Sequence, residues 1–495
     1  MELQFDQRIV EYLRCNVRQA QNLEQTQELR LPDGMPDIGR VLCAWGQAMV
    51  RNKEWRNDGV SVAAGVQVWV LYAPEDGTEP RSAEVWLPVT GKFAFQESKR
   101  EGAVMVSARV CSVDARTLSA RKMMVRATVG LLAQALEKTQ TTVCLPAQMP
   151  KDVQLLHRTY PAVLPREAGE KQFMVDEDIM TDTAVRKLLA CQVQPVVTEQ
   201  TAAGGRVVFR GECRVHLVYM NENDEINVAD AVLPFAQLSD LDRDYDKDAS
   251  CCVWLQLGSM DAQLRDGSIH LQCSLAGQYM IYERQMLEVV EDAYSPYMTV
   301  EPIIKEIELP MLLEQRQEKL DMTVQLDRMV NGVIGVDSMQ MQPTTYREGD
   351  TVLLEVPGSV QVLYWDEEHN LRCESKAWSV GTQLQAGQDS QVQAVIGSVR
   401  QPQAICKGQQ IQVDGGMELT VTTVAVQEIP MVTGLVMGQR EAADPARPSL
   451  ILQRAGNMDL WEIAKACGST VEAITQANQL AGEPSPEQML LIPVM

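Results

Sequence analysis

The sequence predicts a mainly β protein: three tandem β-sandwich-like modules followed by a small α+β unit in the order strand, helix, helix, strand. Three observations lead there. A strand-like run ending in tyrosine recurs at residues 65–72, 211–219 and 358–364, and its tyrosines Tyr72, Tyr219 and Tyr364 lie 147 and 145 positions apart. Within these runs Val66, Val68, Val70 and Tyr72, and again Val215, Leu217 and Tyr219, alternate with the period of two that puts side chains on one face of a strand. Beyond residue 449 the pattern changes to two short stretches of helical period between apolar ends.

Taken in order, the N-terminal stretch 6–21 carries Ile9, Leu13 and Val17 at helical spacing and predicts an amphipathic helix. About 29 residues before each tyrosine stands an apolar run, at 38–44, 185–191 and 329–335. After each tyrosine a polar turn leads to a hairpin partner, at 83–89, 227–236 and 372–381. Further β-branched runs follow at 104–110, 252–257 and 392–399, then at 123–131, 269–281 and 411–426. Trp69 and Leu71 occupy the face opposite Val68 and Val70, so this hairpin is expected to be covered on both sides, as in a sandwich. A repeat of about 146 residues far exceeds the 20–50 of solenoids and marks duplicated domains. The expected divisions are 1–165, 166–310 and 311–440, a Pro-containing linker 441–448, and a terminal unit 449–495.

In that terminal unit Leu450, Ile451 and Leu452 form a first strand. Asp459 is placed to cap a helix with Glu462 three positions on, and Leu460, Ile463, Ala464 and Cys467 form its apolar face. Ser469 and Glu472 signal a second helix, with Val471 and Ile474 turned inward, and residues 490–493 close the unit as a strand.

Composition narrows the function classes. With 45% hydrophobic and 22% charged residues the chain is an ordinary globular one, not a disordered one. Its 44 basic against 67 acidic side chains, a net charge of −23, argue against nucleic acid and against anionic lipid. Residues 1–165 hold 20 basic and 18 acidic side chains, so the whole surplus lies further along. The N-terminus has no basic region followed by an apolar one, and no apolar run reaches the roughly 18–20 residues of a membrane span, so a cytosolic location is expected. Twelve scattered cysteines without a C-x-x-C pair read as reduced thiols packed as small apolar groups.

An enzyme is not expected. The histidines His157, His216, His270 and His369 show no zinc-ligand spacing, and phosphate-loop and nucleophile-elbow motifs are missing, so no cofactor and no metal are expected. The alternating run Asp240, Asp242, Asp244, Asp246 and Asp248 has Arg243 and Lys247 between its acids and no register with the Gly and Glu of a calcium loop. It reads as a solvated connection between strands.

The terminal unit resembles the LysM family through Gly456, residues 459–465 (Asp-Leu-Trp-Glu-Ile-Ala-Lys), residues 470–474, Asn478 and the Leu-Leu-Ile-Pro end at 490–493. It departs from the family at the turn 456–459 and at residues 486–488, both in the loops where LysM modules hold N-acetylglucosamine chains. The duplicated part resembles SPOCS domains, carried by residues 31–42 (Leu-Pro-Asp-Gly-Met-Pro-Asp-Ile-Gly-Arg-Val-Leu), the Val-x-Val-Leu-Tyr strand, and the Leu-Pro pairs at 87–88 and 233–234; the third copy has Trp378-Ser379 there. SPOCS modules with one C-terminal LysM form the layout of SipL-like spore coat morphogenetic proteins, a resemblance covering nearly the whole chain.

The resemblance implies a non-catalytic assembly factor in the mother-cell cytosol at the forespore surface. Its partners would be a SpoIVA-like coat ATPase, bound by the LysM unit, and other coat proteins. The candidate partner-binding residues are Ile451, Gly456, Asp459, Trp461, Lys465 and Asn478. Residues 449–495 hold two basic and five acidic side chains, complementary to a basic patch on the partner. The alternative reading is a wall protein binding peptidoglycan through the same unit.

Overall fold

A computed structural model describes residues 2–95, 102–146, 150–407, 410–440 and 448–495; the expected linker, apart from Pro448, lies outside the described residues. The fold is mainly β, and one order of six strands occurs three times. The first unit comprises β1 (Glu2–Arg30), β2 (Ile38–Arg56), β3 (Gly59–Pro74), β4 (Arg81–Ala94), β5 (Ala103–Ser119) and β6 (Lys122–Pro146). The second comprises β7 (Gln154–Ile179), β8 (Val185–Ala203), β9 (Arg206–Asn221), β10 (Ile226–Asp240), β11 (Ser250–Arg265) and β12 (Ser268–Tyr294). The third comprises β13 (Met298–Leu326), β14 (Val330–Gln340), β15 (Thr344–Glu348), β16 (Thr351–Asp366), β17 (Leu371–Gln385), β18 (Ser390–Lys407) and β19 (Gln410–Arg440). Here Pro343, which has no N–H to give a ladder, separates β14 from β15 where the other units have one continuous strand.

In every unit the second, third and fourth strands form one antiparallel sheet, and the first, last and fifth form another. Apolar side chains of the two sheets meet face to face. In the first unit Val62, Val66, Val68 and Leu87 pack on Met123, Val125, Val129 and Leu131; in the second, Val207, Phe209 and Leu217 pack on Ile269, Leu271 and Leu275. All of these are essentially inaccessible to water, each worth about 1.5–3 kcal/mol of burial.

The likeness between units extends to backbone irregularities. The ladder slips one residue just past the partner of each repeated tyrosine, at Val41/Cys43, Leu188/Ala190 and Val333/Gly335. It slips again in the fifth strands at Val110/Ser112, Leu257/Ser259 and Ile396/Ser398. Such bulges re-aim side chains and add twist, and their recurrence is a signature of one architecture used three times. The tyrosines themselves anchor the chain entering each second strand. Tyr72 donates to the Pro36 carbonyl (3.2 Å), Tyr219 meets Thr183 Oγ1 (3.1 Å), and Tyr364 meets Glu374, which also pairs with Arg328 at 2.8 Å. The turns after them hold a left-handed residue at matching positions, Gly77, Asp224 and His369. The latter two are tolerated because Asn221 Oδ1 and Asp366 Oδ1 each accept two backbone N–H groups of the turn, while the first turn uses glycine.

Two of the sequence expectations are corrected here. Residues 6–21 are part of strand β1, not a helix. Val10 and Leu13 are both buried, on opposite sides of the strand in different apolar clusters, while Ile9 is exposed. The expected cuts at 165/166 and 310/311 fall inside β7 and β13, which pair along their length with the last strands of their own units, β12 and β19, so the units divide before these strands. These long first strands carry Pro161, Pro165, Pro302 and Pro310, permitted because β7 and β13 lie at sheet edges.

The three units cover one another. Residues of their first and last strands share one apolar cluster, with Val10, Val143, Ala162, Leu164, Leu287, Val289, Ile307, Leu309, Ile429 and Met431. A second cluster joins Cys43, Trp45, Trp69 and Leu71 with Leu189, Val218, Leu363 and Leu371. The N-terminal residues Glu2–Gln4 of β1 pair with β19 at Val436–Gly434 before β1 crosses to β6, tying the first unit to the third. Glutamine amides complete the joints. Gln278 exchanges two 2.8 Å hydrogen bonds with the backbone of Val106, Gln47 accepts from the Val193 N–H (2.8 Å), and Gln194 exchanges two with Val399 (2.6 and 2.7 Å).

Gly211 sits where β9 passes beneath Phe235 of β10. A Cβ there would lie 2.2 Å from the Val196 carbonyl oxygen and 2.5 Å from the Phe235 ring. Gly211→Ala is expected to cost about 1–3 kcal/mol, seen as a lower urea midpoint at unchanged slope; an unaltered midpoint would contradict this packing.

Candidate functional site

The C-terminal unit consists of β20 (Leu450–Arg454), α1 (Leu460–Cys467), α2 (Val471–Asn478) and β21 (Met489–Pro493), the two strands forming an antiparallel ribbon. Helix α1 starts at Asp459, whose Oδ1 accepts the Glu462 N–H (2.8 Å) while Glu462 accepts the Asp459 N–H (3.3 Å), the expected capping box. It ends at Gly468 in the left-handed conformation. Helix α2 is capped by Thr470, one residue later than expected, because Ser469 is fully buried between the helices. Leu460, Ile463, Ala464, Ile474, Leu490 and Ile492 form the unit's core.

This core is shared with the rest of the chain through Tyr294 at the end of β12. Tyr294 is buried, meets the Trp461 ring edge-on at 4.8 Å, and donates its hydroxyl proton to the Ser469 carbonyl at 3.0 Å. Burial, with Asp292 adding to it, pushes its hydroxyl up to about 12, so it stays a donor across the neutral range. Asp292, two residues earlier, accepts the Trp461 indole N–H (2.8 Å) and pairs with Lys465 Nζ (2.7 and 2.8 Å). Trp461 and Lys465 are four apart on α1, so one carboxylate reaches both.

The six predicted site residues thus separate. Trp461 and Lys465 come together, but on a face occupied by Asp292 and Tyr294 of the same chain. Ile451 is half-buried against the unit's core and pairs with Ile492. Gly456 makes a left-handed turn tied to the Pro486 carbonyl (3.0 Å). Asp459 is a cap, and Asn478 clamps α2 to β21 through two 2.7 Å bonds with the Leu491 backbone. Sequence reasoning missed Asp292 and Tyr294, since nothing local marks a docking site 169 residues from its tryptophan. It also missed the outward face of the ribbon, where Leu450, Leu452, Met489 and Leu491 are exposed, Leu452 at 65%. The signal for it was present: both strands are apolar on both faces, and one small core covers only one of them.

Elsewhere, a cavity of about 580 Å³ lies where all three units meet, lined by polar groups that include Arg109, Gln192, His216 and Asp337. His216 is held there by Asp230 (2.7 Å) and Gln401 (3.3 Å). Burial pulls the Arg109 guanidinium down to about 10. The acidic run 240–248 connects β10 to β11 and is tied to the first unit by Asp242–Lys138 (3.0 Å) and Arg243–Glu11 (2.8 Å). Among the described residues no group of three or more His, Cys, Asp or Glu is placed to hold a metal ion, and no helix is long and apolar enough to cross a membrane.

Asp292→Ala should release α1 from β12 at a cost of about 2 kcal/mol to docking, observed as a red shift of tryptophan emission and faster protease cleavage near residue 448. Unchanged emission and cleavage would show that Asp292 does not hold the unit.

Residues 184–265, the stretch from the entry of β8 to the end of β11, match the family described as SipL, SPOCS domain. A search of curated proteins returns no match. The family match associates this mainly β chain with sporulation.

Proposed function

We propose that the chain is a non-catalytic spore coat assembly factor. In this reading all three six-strand units are SPOCS modules and the terminal unit is a LysM module. That module captures a SpoIVA-like coat ATPase and helps localise and tether the coat around the forespore from the mother-cell side. The observation that carries the reading is the SipL SPOCS match over residues 184–265, lying in a unit whose strand order and bulges recur on either side of it. Support comes also from the terminal unit's acidic balance, two basic against five acidic side chains, which suits a basic surface on a protein partner.

The ribbon's exposed apolar face and the α1 face are two surfaces this unit offers to a partner. The first is open while the unit is docked. The second becomes available only when Asp292 lets go of Trp461 and Lys465. Capture by the full chain from sporulating cells should yield the coat ATPase, and deletion of 449–495 should abolish it. Trp461→Glu, which also sets a carboxylate against Asp292, is expected to reduce capture at least tenfold if the α1 face is used. Full capture by the deleted chain refutes the assignment; retention of the isolated unit on purified cell wall instead would favour glycan binding.

A further inference from the structure

We propose that Cys43 and Cys373 are an oxidation site, a thiol pair that closes to a disulfide joining the first unit to the third. Their sulfurs lie 2.8 Å apart, well inside ordinary non-bonded contact and about 0.8 Å from bonding distance. Cys43 is on β2 and Cys373 on β17, and the two strands are already fixed to each other. Arg40 Nη2 donates to the Leu371 carbonyl at 2.8 Å, and Cys43, Trp45, Leu363 and Leu371 pack in one apolar cluster that Cys373 adjoins.

The place of the pair gives the bond its consequence. The chain runs directly from the first unit to the second and from the second to the third, so those joints have a peptide connection. The joint between first and third has none. It is held by the short pairing of β1 with β19, by the shared clusters and by contacts such as Arg40 with Leu371. A bond between residues 330 positions apart would close a very long loop, and a cross-link restricts the unfolded chain more the longer the loop it closes.

The chemistry requires an oxidant, and a low-molecular-weight disulfide supplies it. Cys373 is half-exposed and Cys43 is buried, so Cys373 reacts first. Its thiolate attacks the small disulfide, forming a mixed disulfide and expelling one small thiolate. The Cys43 sulfur, losing its proton to solvent, attacks the Cys373 sulfur and expels the second. Two protein thiols are oxidised, and one small disulfide is reduced to two thiols. Burial raises the Cys43 thiol well above its usual range, which keeps it protonated and makes the second step the slow one.

The test uses the full chain, purified reduced and then incubated with oxidised glutathione. Tryptic digestion without reduction should yield peptide 41–51 linked to peptide 373–376, lighter by two hydrogens than the sum of the free peptides. The oxidised chain should show a higher urea midpoint that reverts on adding reductant. Cys373→Ser, a change at a half-exposed position, should fold as before and lose both the linked peptide and the shift. Recovery of the two peptides only as free thiols, as stable glutathione adducts, or linked to other cysteines would overturn the proposal.

Discussion

The apolar cluster in which the first and last strands of all three units meet is the constraint from which the arrangement follows. Among the described residues each unit is a pair of three-stranded sheets with no helix of its own to cover an outer face or edge. Such a sandwich has one filled interface and leaves strand edges and a second apolar surface to be covered. Here the sister units cover them. Ala162, Leu164, Leu309 and Met431 are buried because strands of other units lie against them. Where backbone groups at these joints lack a ladder partner, glutamine amides take that place. Gln278 and Gln194 present N–H and C=O together and pair with a strand as another strand would. A buried amide donor or acceptor left alone costs about 1–3 kcal/mol, so these side chains bear directly on whether the units associate.

The central strands of each unit were readable from the sequence because one face is filled by the unit's own core and the repeat marks them three times over. The first strands were not readable, and β1 shows why. Ile9, Leu13 and Val17 recur every four residues, a spacing that fits one helix face and equally fits one side of a strand, since four is a multiple of two. Alternation would have decided between them, but β1 is covered on both sides by other units. Val10 and Leu13 are buried in opposite directions, and the alternation is erased. In β7 and β13 the prolines and clustered charges that argue against a strand are those an edge strand accepts. In each case the missing information lay in the neighbouring unit.

The terminal unit shows the same limit at a functional surface. Its local features, the Asp459 cap, the Gly468 stop and the inward Leu460 and Ile463, follow from residues within a few positions of one another. The role of Trp461 does not. A tryptophan on a short amphipathic helix reads as core or as an anchor for a partner, and here it is an anchor whose partner is the chain's own β12.

That docking bears on how the proposed capture would be organised. Asp292 and Tyr294 close β12, the last strand of the second unit, immediately before β13 opens the third. The terminal unit therefore sits at a joint between units rather than at the end of a free tether. A coat protein binding the ribbon's outer face would bind the docked chain, with Leu450, Leu452 and Leu491 already ordered on paired strands. A coat protein binding the α1 face would first have to replace an indole hydrogen bond, an ion pair and an edge-on aromatic contact. Affinity for that second mode would be reduced by the fraction of time the unit stays docked, so the strength of the Asp292 contact would set the threshold for capture through α1. The two modes would respond differently: loosening Asp292 would strengthen capture through α1 and leave capture through the ribbon unchanged.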